Sequence, residues 1–299
     1  MMDMRDIVRK FRVTDGEAFR LKQFDPGETC GLDIEKDEAK QLLQAGVKRL
    51  RELQERLYAR KQWSVLIVLQ AMDTAGKDGA IEHVMSGVNP QGCMVHSFKQ
   101  PSAEELAHDF LWRAGCRLPE RGGIGIFNRS YYEETLVVRV HEAILRAEGL
   151  PPDLVGKDIW KTRFKSIREF EKHLVRNGTV ILKFFLNVSK DEQRRRLLAR
   201  IDEPDKNWKF SAGDMAERQY WDDYQEAYQQ MIAHTATGKA PWHVTPADNK
   251  WFTRIVLAAT IIGALEKLDL DFPEVDDAAR QTMAKARAQL LAEDGGRGS

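Results

Sequence analysis

Short apolar runs recur along the chain at 64–69, 94–98, 123–128, 179–188 and 243–246. Between them apolar residues fall at helical spacing, with charges at the remaining positions. In 34–60 the apolar set is Leu42, Leu43, Val47, Leu50, Leu53 and Leu57, which predicts one long amphipathic helix. Further helices are expected at 77–86, 102–115, 130–147, 161–176, 249–268 and 275–293. Asn89-Pro90-Gln91-Gly92 and the stretch from Pro119 to Gly123 interrupt them, since Pro and Gly halt regular structure. Apolar strands alternating with helices are buried on both faces. The pattern therefore predicts an α/β fold, a parallel sheet with helices on both sides. Two stretches fall outside it. Residues 1–32 are irregular and predict an arm laid on a neighbouring surface. Residues 189–236 are polar, rich in Arg, Lys and aromatics, and lie between two strands; they predict a helical lid over the sheet's C-terminal edge. The Gly-Gly-Arg-Gly-Ser end is expected to be disordered.

Composition narrows this. A chain of 299 residues holds one large α/β domain with an insertion, or two domains at most. The pattern favours the arm over 1–32 and a single domain over 33–299. Hydrophobic residues at 42% and charged residues at 31% argue against disorder. Lys plus Arg equals Asp plus Glu, 46 against 46, so no global field draws a polyanion. A highly negative ligand must be met by local clusters of cations. Cys30, Cys93 and Cys116 have no paired spacing and read as reduced thiols of a cytoplasmic protein. The first residues lack the order of a signal peptide, and the apolar stretch 255–265 is too short to span a bilayer. Neither a membrane nor nucleic acid is expected as a partner. The histidines show no metal-ligand spacing.

The most informative segment is 64–79, Ser-Val-Leu-Ile-Val-Leu-Gln-Ala-Met-Asp-Thr-Ala-Gly-Lys-Asp-Gly. A buried strand breaks into a small-residue loop and a helix opens at Lys77. Backbone N–H groups at such a helix start converge on an anion, and the lysine adds a full charge. The expected phosphate cradle is Ala75, Gly76, Lys77, Asp78 and Gly79. It departs from G-x-x-x-x-G-K-[ST] in two places. Ala71 replaces the first glycine, and Asp78 replaces the hydroxyl residue that would meet Mg²⁺. Asp73 adds an acid inside the loop. Asp73, with Asp78 as the weaker candidate, would hold Mg²⁺ (or Mn²⁺) directly or through water, although Asp78 also suits a first helical turn for its dipole alone.

Ligands of open parallel sheets collect beyond the strands' C-terminal ends. The second run exits into Lys99, and the third into Asn128, Arg129, Tyr131, Tyr132 and Glu133. If the first and third strands are adjacent, Arg129 stands opposite Lys77. Phosphoryl transfer needs in-line placement and positive charge more than covalent help, and this grouping supplies both. The cations Arg194, Arg195, Arg196, Arg200, Lys206 and Lys209 are nearly balanced by Asp191, Glu192, Asp202, Glu203 and Asp205. Such a run reads equally as a solvated face.

The segment 71–79 is similar to the phosphate loop of the polyphosphate kinase 2 family. So are Met85-Ser-Gly-Val-Asn-Pro-Gln-Gly92, Ser97-Phe-Lys-Gln-Pro-Ser102, Asp109-Phe-Leu-Trp-Arg113 and Phe127-Asn-Arg-Ser-Tyr-Tyr-Glu133. Further resemblances are Asp202-Glu-Pro-Asp-Lys-Asn-Trp-Lys-Phe210, Trp221-Asp-Asp-Tyr224 and Ala240-Pro-Trp-His-Val-Thr-Pro-Ala-Asp248. The resemblance implies a three-layer αβα P-loop kinase fold like thymidylate kinase, with a helical lid, assembled as a homodimer or homotetramer. It implies reversible, Mg²⁺-dependent transfer of the terminal phosphoryl of inorganic polyphosphate to a nucleotide. By position, Asp73, Lys77 and Arg129 match the family's loop acid, lysine and Walker-B-side arginine, with Asn128 and Glu133 beside them. Asp73, Asn128, Tyr132 and Glu133 would meet the nucleotide. Lys99, Arg129, Arg194, Arg195, Arg200 and Lys209 would line a polyphosphate groove. Asn128 where other branches keep an acid resembles the branch that phosphorylates both AMP and ADP; guanine nucleotides are further candidate acceptors. Two rival readings remain at this point: an ATP-dependent nucleoside or nucleotide kinase, and a non-catalytic protein that binds polyphosphate or nucleotide.

Overall fold

Every residue of the strand Ser64–Gln70 is buried; it pairs on both edges and is covered on both faces. The computed structural model describes residues 4–32, 34 and 36–295. Its strands are β1 Arg12–Val13, β2 Ser64–Gln70, β3 Cys93–Ser97, β4 Ile124–Asn128, β5 Thr179–Asn187 and β6 Trp242–Pro246. They form one sheet in the order β1-β6-β5-β2-β4-β3. The pairings among β2 to β6 are parallel, and β1 runs antiparallel against β6. The apolar runs read from the sequence are these parallel strands, each within one or two residues at its ends. β2 lies between β4 and β5 with Leu69 opposite both Asn128 and Phe184. The exits of β2 and β4 are therefore neighbours.

Helices cover both faces. Lys36–Arg60 and Lys77–Val84 pack on Lys250–Glu266, while Ile159–Arg176 packs on Trp221–Thr235. The result is a three-layer αβα P-loop kinase fold. Leu50, Leu53 and Leu57 are the buried stripe of Lys36–Arg60, each worth about 1.5–3 kcal/mol on leaving water. Two expected helices are broken. The stretch 102–115 splits into Ala103–Leu106 and Trp112–Gly115, because the Asp109 side chain accepts the Leu111 N–H at 2.9 Å and makes a local turn. The stretch 130–147 becomes a 3₁₀ turn, Tyr131–Thr135, then Val137–Val140 and Glu142–Ala147. Leu136 leaves helical geometry there, at φ −116° and ψ −91°.

The amino-terminal arm lies on its own domain. Ile7 and Phe11 bury against Phe252 and Val256. Leu21 donates its N–H to Gln229 Oε1 at 2.7 Å. At Gly16 the backbone presses so close to the helix Trp221–Thr235 that a Cβ would fall 1.8 Å from the Ala233 carbonyl oxygen. The stretch 189–236 has two characters. Lys190–Asp202, the turn Pro204–Lys209 and Ala212–Glu217 carry mostly exposed polar residues, whereas Trp221–Thr235 sends Trp221, Tyr224, Tyr228, Met231 and Ile232 into the core. The last helix, Asp277–Gly295, is exposed through residue 293. The terminus expected to be disordered lies, after Gly295, outside the described residues. Among the described residues no helix is long and apolar enough to cross a membrane. The three cysteines are free thiols, and burial pushes the Cys93 thiol up to about 11.

Candidate active site

The loop after β2 runs from Ala71 to Gly76 and opens the helix Lys77–Val84. Gly76 sits in the left-handed region at φ +104°, which costs glycine little. Thr74 sits there too, at φ +65°, a conformation that costs a branched residue about 1–3 kcal/mol and persists only when its surroundings enforce it. Arg196, 7% exposed, does the enforcing. Its Nη1 donates to the carbonyls of Thr74 and Ala75 at 3.1 and 2.8 Å, and its Nη2 to those of Ala247 and Asp248 at 2.6 and 3.1 Å. Its Nε donates to Glu192 at 2.6 Å. Because a trans peptide points its N–H opposite its C=O, drawing the Ala75 carbonyl onto Arg196 turns the Gly76 N–H to the other side, where an anion would sit.

Two cations stand at the loop, close enough for one to act on the other. Lys77 is 9% exposed, and its ammonium donates to the Ala71 and Met72 carbonyls at 2.9 and 3.4 Å. Burial and the positive charge of Arg129 pull its pKa below the usual lysine value. Arg129 follows β4 in the left-handed region at φ +64° and anchors its N–H on the Leu69 carbonyl at 3.0 Å. Its Nη2 meets Asp73 Oδ1 at 2.7 Å and its Nη1 meets Glu133 Oε2 at 3.5 Å. Burial works against its charge, but Glu133 and Asp73 hold its pKa above the usual arginine value. Replacing Arg129 by Lys removes the planar fork that spans two carboxylates. The expected result is a fall in kcat of about 10²-fold with the unfolding midpoint nearly kept; steady-state kinetics and a thermal melt read both.

The acids divide by environment. Asp78 is exposed and accepts from Asn128 Nδ2 through Oδ1 at 2.6 Å. The Glu133 side chain is 14% exposed, and its pKa rises because partial burial outweighs the pull of Arg129 and Lys77. Among the described residues no three His, Cys, Asp or Glu side chains gather into a metal cage. Asp73 and Asp78, flanking the loop, match the one or two carboxylates that Mg²⁺ uses when substrate phosphates complete its shell.

Tyr132 requires a correction. Expected at the nucleotide, it is fully buried beneath the turn. Its hydroxyl donates to Glu171 at 2.7 Å and accepts from Lys183 at 3.0 Å. Tyr131 also donates to Glu171, at 2.9 Å. Lys183 reaches Glu171 at 2.7 Å and the Thr235 carbonyl at 2.8 Å. The tyrosines thus fasten the turn that follows Arg129 and carries Glu133.

Above the loop, a cavity of about 30 Å³ is lined by Asp73, Arg129, Glu133, Leu136, Tyr224 and Tyr228, among others. Tyr224 donates to Glu217 at 2.6 Å, and His141 meets the same carboxylate at 2.9 Å. Tyr224 and Tyr228, one helical turn apart, escaped the sequence reading as site residues. The other candidates stand further out. Arg195 is exposed and folded onto Glu192. Arg200 pairs with Asp214 at 2.6 Å. Lys209 lies over the exposed Trp208 ring at 4.9 Å, and Arg194 is exposed. Lys99, beyond the edge strand β3, lines a separate polar cavity of about 460 Å³ with Arg113 and Arg117.

A phosphate loop whose lysine faces an arginine from the neighbouring parallel strand, beside paired acids, defines a P-loop phosphotransferase. Residues 33–273 match the polyphosphate kinase 2 (PPK2) family. The chain belongs to the polyphosphate kinase 2 family and is a phosphotransferase of that type. It is 51% identical over 289 residues to an ADP-polyphosphate phosphotransferase of Rhodopseudomonas palustris, covering 96% of this chain and 100% of that one. It is 45% identical to an AMP/ADP-polyphosphate phosphotransferase of Meiothermus ruber, over 92% of this chain and 98% of that one. Among solved structures it resembles polyphosphate kinase 2 from Arthrobacter aurescens TC1, with a TM-score of 0.85 and 42% identity, covering 95% and 97% of the two chains.

Proposed function

We propose that the chain transfers the terminal phosphoryl group of inorganic polyphosphate to ADP and to AMP, reversibly and with Mg²⁺ (or Mn²⁺). The observation that carries this reading is the meeting of Lys77 and Arg129 over one loop, with Asp73 and Glu133 between them. The two cations would hold non-bridging oxygens of the migrating group, where added positive charge lowers the barrier most. Asp73 and Asp78 would hold the metal, which supplies charge neutralisation and a template for in-line attack. A half-buried Glu133 with a raised pKa meets an incoming phosphate with less repulsion than a fully ionised acid. The cavity of about 30 Å³ beside Leu136, Tyr224 and Tyr228 has room for water rather than a base, so a nucleoside would rest at its mouth or need that wall to open. Names of relatives support ADP and AMP as acceptors, and Asn128 fits the dual-acceptor expectation. Lys99 and the lid cations remain proposed polyphosphate contacts. A cytoplasmic location, a homo-oligomeric state and guanine acceptors belong to the same proposal.

The test is direct. Incubated with ADP, Mg²⁺ and long-chain polyphosphate, and no nucleoside triphosphate, the protein is expected to form ATP; AMP should give ADP, and an ATP-only donor preference would defeat the reading. Chelation with EDTA should stop turnover.

A further inference from the structure

The phosphate loop has two flanks of unlike chemistry. On one flank stand Arg129 and Glu133, which follow β4, with the apolar and aromatic wall of Leu136, Tyr224 and Tyr228, whose Tyr228 ring packs on Phe185 of β5. The other flank, beyond β5 and β6, is cationic. Asn249 precedes the helix Lys250–Glu266, whose first turns carry Lys250 and Arg254, four residues apart and so on one face. Arg196 and Lys206 approach Lys250 from the lid, and three like charges therefore surround it, with Glu192 as the acid nearest in effect. That acid is already bonded to Arg195 and Arg196. Arg254 has Glu82 as its acidic neighbour. Its guanidinium hangs over the first turn of the phosphate-loop helix: a Cβ built on Gly79 would stand 3.9 Å from Nη2. Within the described residues neither Lys250 nor Arg254 has a hydrogen-bonded or ion-paired partner. The adjoining Trp251 ring packs against Phe252 and the amino-terminal cluster, so no aromatic face is offered to a base.

Like charges gathered without partners lower stability through repulsion and raise affinity for a polyanion. We infer that Lys250 and Arg254 bind the distal phosphates of the donor polyphosphate. This rests on the polyphosphate reading above and gives it a direction. The donor chain crosses from the loop over β5 and β6, and the nucleotide enters from the β4 side; Lys99, past β3, then falls outside the donor's path. Strands lie about 4.8 Å apart, so the two-strand step from the loop to Lys250 spans about 10 Å. A long chain covers that step with phosphates to spare, whereas tripolyphosphate, with its terminal phosphate in the loop, brings fewer phosphates to the pair and meets Arg254, over the helix's first turn, before Lys250.

The double variant K250Q/R254Q tests the assignment. The half-saturating concentration of long-chain polyphosphate should rise about tenfold, with a shallower dependence on salt; that of tripolyphosphate should rise by a smaller factor, and that of ADP should move less than about twofold. The charge-keeping variant K250R/R254K should retain wild-type half-saturation. A rise in the ADP requirement, equal losses with tripolyphosphate and the long chain, or no change with either would overturn the assignment. Lys250 is exposed, so K250Q alone supplies the same readout if the double variant folds poorly. Wild-type protein that makes no ATP from ADP and polyphosphate defeats the underlying reading instead, and this control separates the two failures.

Discussion

Lys77→Met should lower kcat by about 10²–10³-fold while leaving the unfolding midpoint within a few degrees of wild type. The kinetic loss follows from position: the ammonium is the cation at the loop's end, aimed where negative charge shifts during transfer, and removing one preorganised donor of this kind costs about 10²–10³-fold. The small stability change is a balance. The variant leaves the Ala71 and Met72 carbonyls without the ammonium, a loss of about 1–3 kcal/mol. It also removes a buried charge whose pKa is pulled down by burial and by Arg129, which means the charged form costs stability in the ligand-free protein. The sign is testable. A lysine with a depressed folded pKa binds its proton more weakly in the folded than in the unfolded chain. Wild-type stability therefore gains on Lys77→Met as pH rises from the folded pKa towards the ordinary lysine value. Turnover near wild type would remove Lys77 from the mechanism, and a collapse of the fold would mean that its bonds to the loop matter more than its charge.

Much of this site was legible because buried parallel strands announce themselves. β2, β4 and β5 are apolar over most of their length, and a Gly-Lys step straight after one of them has few other uses. The adjacency of the β2 and β4 exits then set Arg129 beside Asp73. Other parts follow from geometry that a linear reading blurs. Arg194, Arg195 and Arg196 look alike in sequence, yet neighbours on a helix differ by about 100°, so Arg196 turns inward as the loop's strut and the other two face solvent. Lys250 and Arg254 were readable as an i, i+4 pair, but their weight depends on Gly79 and Arg196 lying close in space. The arm's attachment uses a strand of only two residues, too short for any periodicity. The helices expected across 102–115 and 130–147 break at Asp109 and Leu136, where one side-chain turn and one buried network outweigh helical spacing.

That network carries the largest expected effect on stability. Its signal in the sequence was Lys183 inside the apolar run Ile181-Leu182-Lys183-Phe184-Phe185. Lys183 is fully buried and Glu171 2% exposed, and the carboxylate takes bonds from Tyr131, Tyr132 and Lys183 together. Burial pulls the lysine's pKa down while Glu171 holds against it. Lys183→Met strands a carboxylate in the core, and breaking a buried pair in this way costs about 3–5 kcal/mol, a fall in melting temperature on the order of 10 °C for a chain of this size. The tyrosines beneath Arg129 and Glu133 lose their anchor in the same step, so kcat should fall while the half-saturating ADP concentration changes less. Glu171→Gln added to Lys183→Met should restore more than half of the lost stability, since the amide oxygen still accepts from the tyrosines and no charge is left buried. A single variant as stable as wild type, or a double variant no better than the single, would show that the turn is held by packing alone and that Lys183 has no part in positioning Arg129.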